Sequence, residues 1–310
     1  MIMSNGDRVA GSPLLMIKPN RATSGGRGRY RPPMRIERHH DPVAYRDLVT
    51  PLLLRDEARF NLELALTAKV ADGIVFGDEP PWLLTVHDGD GLVGAALMTP
   101  PWRLAMAPVP AEGVEELARY LADRDVRVPG AMAAETELRA FADTYAALTG
   151  TAWHEGKAQG VYRLTTLVEP RPAPGALREA TDDDFDLLVA WMQAFQVDAG
   201  LPEEDARRNA ERSREGLLWL WEDGGEPVSM VGVGGFTPNG ARVGPVYTPP
   251  ERRGRGYASA ATAAVTRLML DRGCTYAFLY TDLANPTSNK IYRAIGYEQV
   301  GDVLVALFDR

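Results

Sequence analysis

Apolar residues along the chain fall into two successive runs of the same kinds of segment. From Tyr45 to Val70, the positions Leu48, Leu52, Leu53, Phe60, Leu64 and Leu66 recur at helical spacing, with a turn between two segments. Strong β-formers at Trp82–His87 and Leu92–Met98 flank Asp88-Gly89-Asp90-Gly91 and read as a hairpin. Helices are expected at Val114–Leu121 and at Glu135–Leu148, the second stopped by Gly150, and a strand over Gly160–Val168 closes this half. Pro170, Pro172, Pro174 and Gly175 then form a stiff linker that cannot continue a helix.

After the linker the order starts again. Thr181 is a suitable N-cap for a helix carrying Phe185, Leu188, Val189 and Trp191, and further helix is expected through Ala206–Leu217. Strands follow at Pro227–Val233 and Ala241–Thr248, then a long helix at Ala258–Leu270, a strand at Tyr276–Thr281, a short helix and a last strand at Val303–Phe308. The pattern predicts an α/β (α+β) fold in which a mixed, mostly antiparallel sheet wrapped by helices occurs twice in tandem. The expected organisation is a tail over 1–35, a first domain over 36–168, a linker over 169–175 and a second domain over 176–310. No residue-level repeat accompanies the repeated order.

Composition narrows the function. At 310 residues, 45% hydrophobic and 25% charged, the chain suits a soluble globular protein with room for two cores. No apolar run approaches the ~20 residues of a membrane span. Leu14-Leu15-Met16-Ile17 is shorter than the ~7–15 residue core of a secretory signal, so a cytoplasmic location is expected. The stretch Ser24–Pro33 is rich in Gly, Arg and Pro and has too little apolar content to bury. The single cysteine, Cys274, allows no internal disulfide and reads as a small residue entering a buried strand. His39 and His40 are adjacent while His87 and His154 are isolated, so no metal site is expected. A net charge of −8 argues against nucleic-acid binding and is compatible with a cationic amine substrate.

The chemistry concentrates between Arg242 and Tyr297. Val246-Tyr247-Thr248 ends a strand, Pro249-Pro250 stops it, and Arg253-Gly254-Arg255-Gly256-Tyr257-Ala258 opens a helix whose Ala261, Val265, Leu268 and Met269 share one face. Glycines let the backbone approach an anion, and a helix N-terminus offers unpaired N–H groups and a favourable dipole. The arginines add charge, so a pyrophosphate is the expected ligand. Ser259 stands where a dinucleotide fingerprint needs its third glycine, and no Gly-Lys-Ser/Thr ends the loop as a P-loop requires. Taken alone, the turn is equally consistent with no ligand.

A second segment runs from Thr281 to Tyr297. Asn285 is a good N-cap, Pro286 suits the first helical position, Ile291 and Ile295 share a face, and Gly296 ends the helix. With both segments in view, the last third of the chain resembles the GNAT superfamily of acyl-CoA-dependent N-acyltransferases. Arg253-x-x-Gly256-x-Ala258 is similar to that family's (Gln/Arg)-x-x-Gly-x-(Gly/Ala) cofactor loop, and Asn285, Ile291-Tyr292 and Gly296-Tyr297 to its Asn…(Leu/Ile)-Tyr…Gly-(Phe/Tyr) signature. The wording around them also resembles glycine N-acyltransferase-like proteins. The resemblance implies two tandem GNAT-like domains and acetyl-CoA, or another short acyl-CoA, as co-substrate without a metal. It implies that the loop Arg253, Gly254, Arg255, Gly256, Tyr257 and Ala258 holds the pyrophosphate and that Val246 and Tyr247 pair with the pantetheine arm. In the same way Asn285 would bond the cofactor arm, and Tyr292 would protonate the departing thiolate. The implied reaction is transfer of an acetyl group to a small-molecule amine by direct attack in a ternary complex. A non-catalytic acyl-CoA-binding protein is the alternative.

The general base is Asp282, just past a central strand, or else Asp282 is a turn carboxylate capping N–H groups. Glu222 and Asp223 read as a solvated turn. Trp191, Phe195, Trp219 and Trp221, assigned to the helical region, could line an acceptor pocket. In the first half the counterpart of the cofactor loop is expected near Arg127-Val128-Pro129-Gly130-Ala131, which has no Gly-x-Gly, so this half is read as degenerate, shaping the acceptor side or forming a homodimer.

Overall fold

The computed structural model describes residues 34–199 and 206–309. The tail over 1–33 lies outside the described residues. Order begins earlier than the helical pattern indicates: Met34 is buried in a core, and β1 (Arg35–His39) follows it directly. The first half continues with α1 (Pro42–Leu53), a 3-10 turn (Leu54–Asp56), α2 (Asn61–Ala71), β2 (Trp82–Asp88), β3 (Gly91–Met98), β4 (Leu104–Ala107), α3 (Ala111–Ala122), β5 (Gly130–Ala133), α4 (Glu135–Thr149), β6 (Trp153–Glu155) and β7 (Gln159–Leu164). The second half runs β8 (Ala176–Glu179), α5 (Phe185–Ala199), α6 (Ala206–Ala210), β9 (Leu218–Asp223), β10 (Glu226–Gly234), β11 (Gly240–Tyr247), α7 (Tyr257–Asp271), β12 (Tyr276–Asp282), α8 (Pro286–Ala294) and β13 (Glu298–Phe308). Strand, two helices, three strands, helix, strand, helix, strand: the order occurs twice, with the short β6 as an additional strand in the first half.

Helices form where the sequence supplies both a stripe and an end. In α3 the buried Val114, Leu117, Ala118 and Leu121 lie at i, i+3, i+4 and i+7. Asp41 caps α1 by accepting from the N–H groups of Val43 and Ala44, and Gly150 ends α4 in the left-handed region at φ 74°. Thr181 caps a 3-10 turn (Asp182–Asp184) that leads into α5. There Arg178 forks the Asp184 carboxylate at 2.7 and 2.8 Å and reaches Glu222 with its Nε at 2.6 Å. The arginine, with the Thr181 N–H, holds the Asp184 carboxyl down at about 2 despite burial.

All thirteen strands belong to one sheet, with β6 beside β13 off the main path β1-β2-β3-β4-β5-β13-β7-β12-β11-β10-β9-β8. Only β4–β5 and β11–β12 run parallel; the other pairs are antiparallel. The strand expected to close the first half does not do so. β7 lies between β12 and β13, with Tyr162 opposite Leu279 on one side and Gln299 on the other. In return the end of β13 crosses over, Leu304–Leu307 pairing with β5 and Ala306–Phe308 with β6. Each half of the sheet is completed by a strand from the other half. Strand pairing is non-local, so the local pattern that located β7 could not place it.

Three further expectations change. Leu218–Asp223 is a strand, so Trp219 and Trp221 are not on a helix: both are buried in the core under α7 and cannot line an acceptor pocket. Trp191 and Phe195 do lie on α5, half-buried against its own core. Glu222 and Asp223 are not a solvated turn, since they end β9 and hold Arg178 and Tyr257. The first-half counterpart of the cofactor loop is Pro108-Val109-Pro110, between β4 and α3, because Pro129 lies just before β5 and Gly130-Ala131 within it. Among the described residues, no helix is long and apolar enough to cross a membrane.

Candidate active site

The parallel pair β11–β12 makes the site. Its ladder runs only from Gly240–Tyr276 to Arg242–Phe278. Beyond it, β11 stays with β10, Val246 opposite Val231 and Tyr247 opposite Met230, while β12 stays with β7. The two strands therefore part into a wedge, and the β12-side edge of Val243–Tyr247 is left without its ladder. The β10–β11 register shifts at the same level: Val231 to Val233 on β10 spans Val246 to Val243 on β11, so the extra residue of this β-bulge lies on β11. Tyr247 is buried, its ring 6.1 Å from Trp191, and its carbonyl accepts from Ser229 at 2.9 Å.

The cofactor-loop residues sit at the mouth of this wedge. After the turn Pro250–Arg252, Gly254 and Gly256 adopt φ 78° and 87°, a region that side chains with a Cβ rarely occupy. A Cβ on Gly254 would meet nothing within 4 Å, and one on Gly256 only the Ala173 Cβ at 3.6 Å, so the glycines answer to backbone direction and not to crowding. Gly256 is the N-cap of α7 and has no side chain to cap it. The N–H groups of Tyr257, Ala258 and Ser259 therefore have no helical acceptor and point out of the helix end.

The arginines divide. Arg253 Nε donates to the Thr248 carbonyl at 2.9 Å, its Nη2 bonds Asp198, and its guanidinium lies 5.9 Å from the Tyr247 ring, so it buckles the loop onto the strand. Arg255 is exposed. The Tyr257 side chain turns inward instead, 2% exposed, and its hydroxyl donates to Asp223 at 2.6 Å, which fixes the start of α7 to the end of β9. Only the backbone of Tyr257 faces outward. Asp223 is thus a supporting residue that the sequence did not reveal.

On the other flank, Asn285 caps α8 by accepting from the Ser288 N–H at 3.1 Å, as its position predicts. Asn289 is buried and donates to the carbonyls of Asp282 and Leu283 at 3.1 and 3.2 Å, tying α8 to the end of β12. Tyr292 is half-buried and packs edge-on to Tyr297 at 6.2 Å, while Tyr297 shares a hydrogen bond of 2.8 Å with Thr266 of α7. The Tyr292 hydroxyl makes no hydrogen bond among the described residues. Burial pushes its pKa up to about 12, so it stays a proton donor at neutral pH. Asp282 has both oxygens engaged: Oδ1 accepts from the Ala284 N–H at 2.8 Å and Oδ2 faces Lys157 Nζ at 3.1 Å. That is the geometry of a turn carboxylate.

An open cavity of about 560 Å³ lies elsewhere, between α1–α2 and Phe236-Thr237-Pro238. No cluster of His, Cys, Asp and Glu suited to a metal occurs among the described residues.

The family model described as Acetyltransferase (GNAT) family matches residues 183–297, the span that contains the wedge, the loop and α8. No curated protein matches the sequence. Solved structures share the architecture over most of the chain. A GNAT-family acetyltransferase from Colwellia psychrerythraea is 15% identical with a TM-score of 0.52, covering 89% of this chain and 100% of its own. A GCN5-related N-acetyltransferase from Sphaerobacter thermophilus is 16% identical with a TM-score of 0.54, covering 88% and 94%. A tandem GNAT protein from the clavulanic acid biosynthesis pathway is 14% identical with a TM-score of 0.55, covering 89% and 98%. The chain has the GNAT acetyltransferase fold. At these identities the likeness is one of fold.

Proposed function

We propose that the chain transfers an acetyl or other short acyl group from CoA to the amine of a small molecule, by direct attack in a ternary complex. One observation carries the reading: a glycine loop at positive φ feeds an uncapped helix N-terminus at the mouth of a wedge between two parted parallel strands. An anionic pyrophosphate suits the N–H groups from Arg253 to Ala258, and an extended arm suits the open edge at Val246 and Tyr247. Asn285 keeps its side-chain N–H groups for the arm while its oxygen caps α8. Tyr292 supplies the proton to the leaving thiolate, and Asp282 would take one from the ammonium nucleophile only after releasing Lys157. The first half, as a second GNAT-like domain without a phosphate loop, shapes the acceptor side.

The engaged state of Asp282 favours one other reading, a protein that binds acyl-CoA without turning it over. Acetyl-CoA affinity by calorimetry, followed by CoA release across a panel of amines, separates the two. Binding with amine-dependent CoA release supports transfer. Binding without release for any amine leaves the binding protein, and absence of binding removes both.

A further inference from the structure

The face of the wedge opposite α7 gathers cations that lack anions. Along β11, Ala241 and Val243 point into the core beneath α7, so Arg242 between them points to the other face. There its Nη1 donates to Asn61 Oδ1 of α2 at 3.2 Å, and its guanidinium lies 5.6 Å from the Tyr280 ring of β12. Arg212, from the 3-10 turn Glu211–Ser213, reaches the same place, donating through Nη2 to the carbonyls of Val233 and Gly244 at 2.5 and 3.5 Å. Lys69 of α2 stands at the rim. None of the three has a carboxylate within 4 Å among the described residues.

The backbone is built to admit them. A Cβ on Gly234 would lie 2.9 Å from Arg212 Nη2, and one on Gly235 would lie 2.7 Å from the Arg242 guanidinium carbon. Two consecutive glycines at the end of β10 leave the room that two guanidinium groups fill. The cations also disfavour one another. Burial, then Arg212 and Arg242, lowers the Lys69 pKa; burial, then Arg242, lowers that of Arg212; burial lowers that of Arg242. The acids nearby do not balance them. Glu63 is buried, and desolvation lifts its carboxyl to about 7, while Glu215 is exposed. Arg212 and Arg242 are desolvated like charges that share only the carboxyl of Glu63, which faces Arg242 without an ion-pair contact, and an entering anion relieves the cost of their burial. Forked guanidinium groups match the oxygens of a carboxylate or phosphate.

We propose that the acceptor amine carries an anionic group, a carboxylate or a phosphate, which docks against Arg212, Arg242 and Lys69 on the open face of the wedge. The proposal rests on the acyl-transfer reading and names the acceptor class for it. In an acidic protein of net charge −8 the three cations form a local basic patch.

Matched amines test it: 4-aminobutyrate against butylamine, and O-phosphoethanolamine against ethanolamine, with CoA release measured at saturating acetyl-CoA. The anionic member of at least one pair should show a kcat/KM about tenfold or more above its neutral partner. Arg212→Gln, which keeps a donor for the strand carbonyls, should raise KM for the anionic amine about tenfold, and Lys69→Ala at the rim severalfold. Neither should change KM for the neutral amine or the affinity for acetyl-CoA. Equal use of both members of each pair, with CoA released, overturns the anionic acceptor and leaves acyl transfer standing. A thermal-shift titration with malonate needs no turnover. The wild type should be stabilised and Lys69→Ala and Arg212→Gln much less so. An undiminished shift in both variants, or none in the wild type, overturns the proposal whatever the acyl-transfer result.

Discussion

Among the described residues two strand pairs run parallel, and one of them leads into a loop with glycines at positive φ while the other does not. In the first half β4 and β5 pair at Leu104–Ala131 and Ala105–Met132, as β11 and β12 do in the second. The connection to the following helix is Pro108-Val109-Pro110 in one and Thr248–Gly256 in the other. Each connection contains two prolines, but in the first only Val109 lies between them, and it is buried in the core. The loop is pressed onto β3, where a Cβ on Gly94 would lie 2.5 Å from the Pro108 carbonyl oxygen. Near the end of β4, Phe60, Glu63, Met106 and Ala133 help line a space of about 30 Å³, enough for about one water. The strand pairing is the same, and on the proposed reading the ability to hold an anion rests on a few loop residues, in the connection and not in the architecture.

The sharpest way to break this contrast is to ask whether the open half stands alone. A fragment starting at residue 169 lacks β7, so β12 and β13 lose the strand between them and expose two unpaired edges. It should be insoluble or unfolded by circular dichroism, whereas the full chain melts cooperatively. A folded fragment that binds acetyl-CoA would show that the exchange of strands is dispensable and that 169–175 is a true domain linker.

Within the open half, the next largest effect should come from the tyrosine that has no partner. Tyr292→Phe keeps the ring against Tyr297 and removes only the donor, acting mainly on the transition state. Turnover with a good amine should fall about 10²-fold, the low end for lost general-acid help, because a CoA thiolate is a good leaving group. Acetyl-CoA affinity and melting temperature should stay as in the wild type. Wild-type turnover would make the residue a packing element. A variant that unfolds would do the same, and pH–rate profiles of Tyr292→Phe in a folded background stabilised by CoA would then show no loss of an acidic group.

What the sequence disclosed of all this was its local part. The capped α8, the stripe of α7 and the Gly254/Gly256 turn depend on neighbours a few residues apart, and all stand where expected. The strands β4 and β5 escaped because Leu-Ala-Met-Ala and Gly-Ala-Met-Ala are four residues long, without β-branched or aromatic side chains. Missing them displaced the first-half loop to 127–131. The run Leu-Trp-Leu-Trp at the start of β9 carries apolar residues on both faces, so it shows no period of two. Lys69, Arg212 and Arg242 meet only through tertiary structure, and no spacing could join them.

The smallest effect compares the two loops residue by residue. Gly256 sits at φ 87°, where a β-branched side chain is strained, and its backbone must remain open to the pyrophosphate. Gly256→Val should weaken acetyl-CoA binding about tenfold or more, roughly 1.4 kcal/mol. The corresponding probe in the first half is Val109→Ala, which trims a buried side chain and should cost about 0.5–3 kcal/mol of stability with no change in acetyl-CoA affinity. Calorimetric stoichiometry should be one acetyl-CoA per chain, since of the two connections only Thr248–Gly256 carries glycines at positive φ ahead of its helix. If Gly256→Val binds normally in a folded protein, the glycines serve only the turn. If the stoichiometry is two, the proline connection holds a phosphate despite its missing N–H groups, and the contrast between the halves disappears.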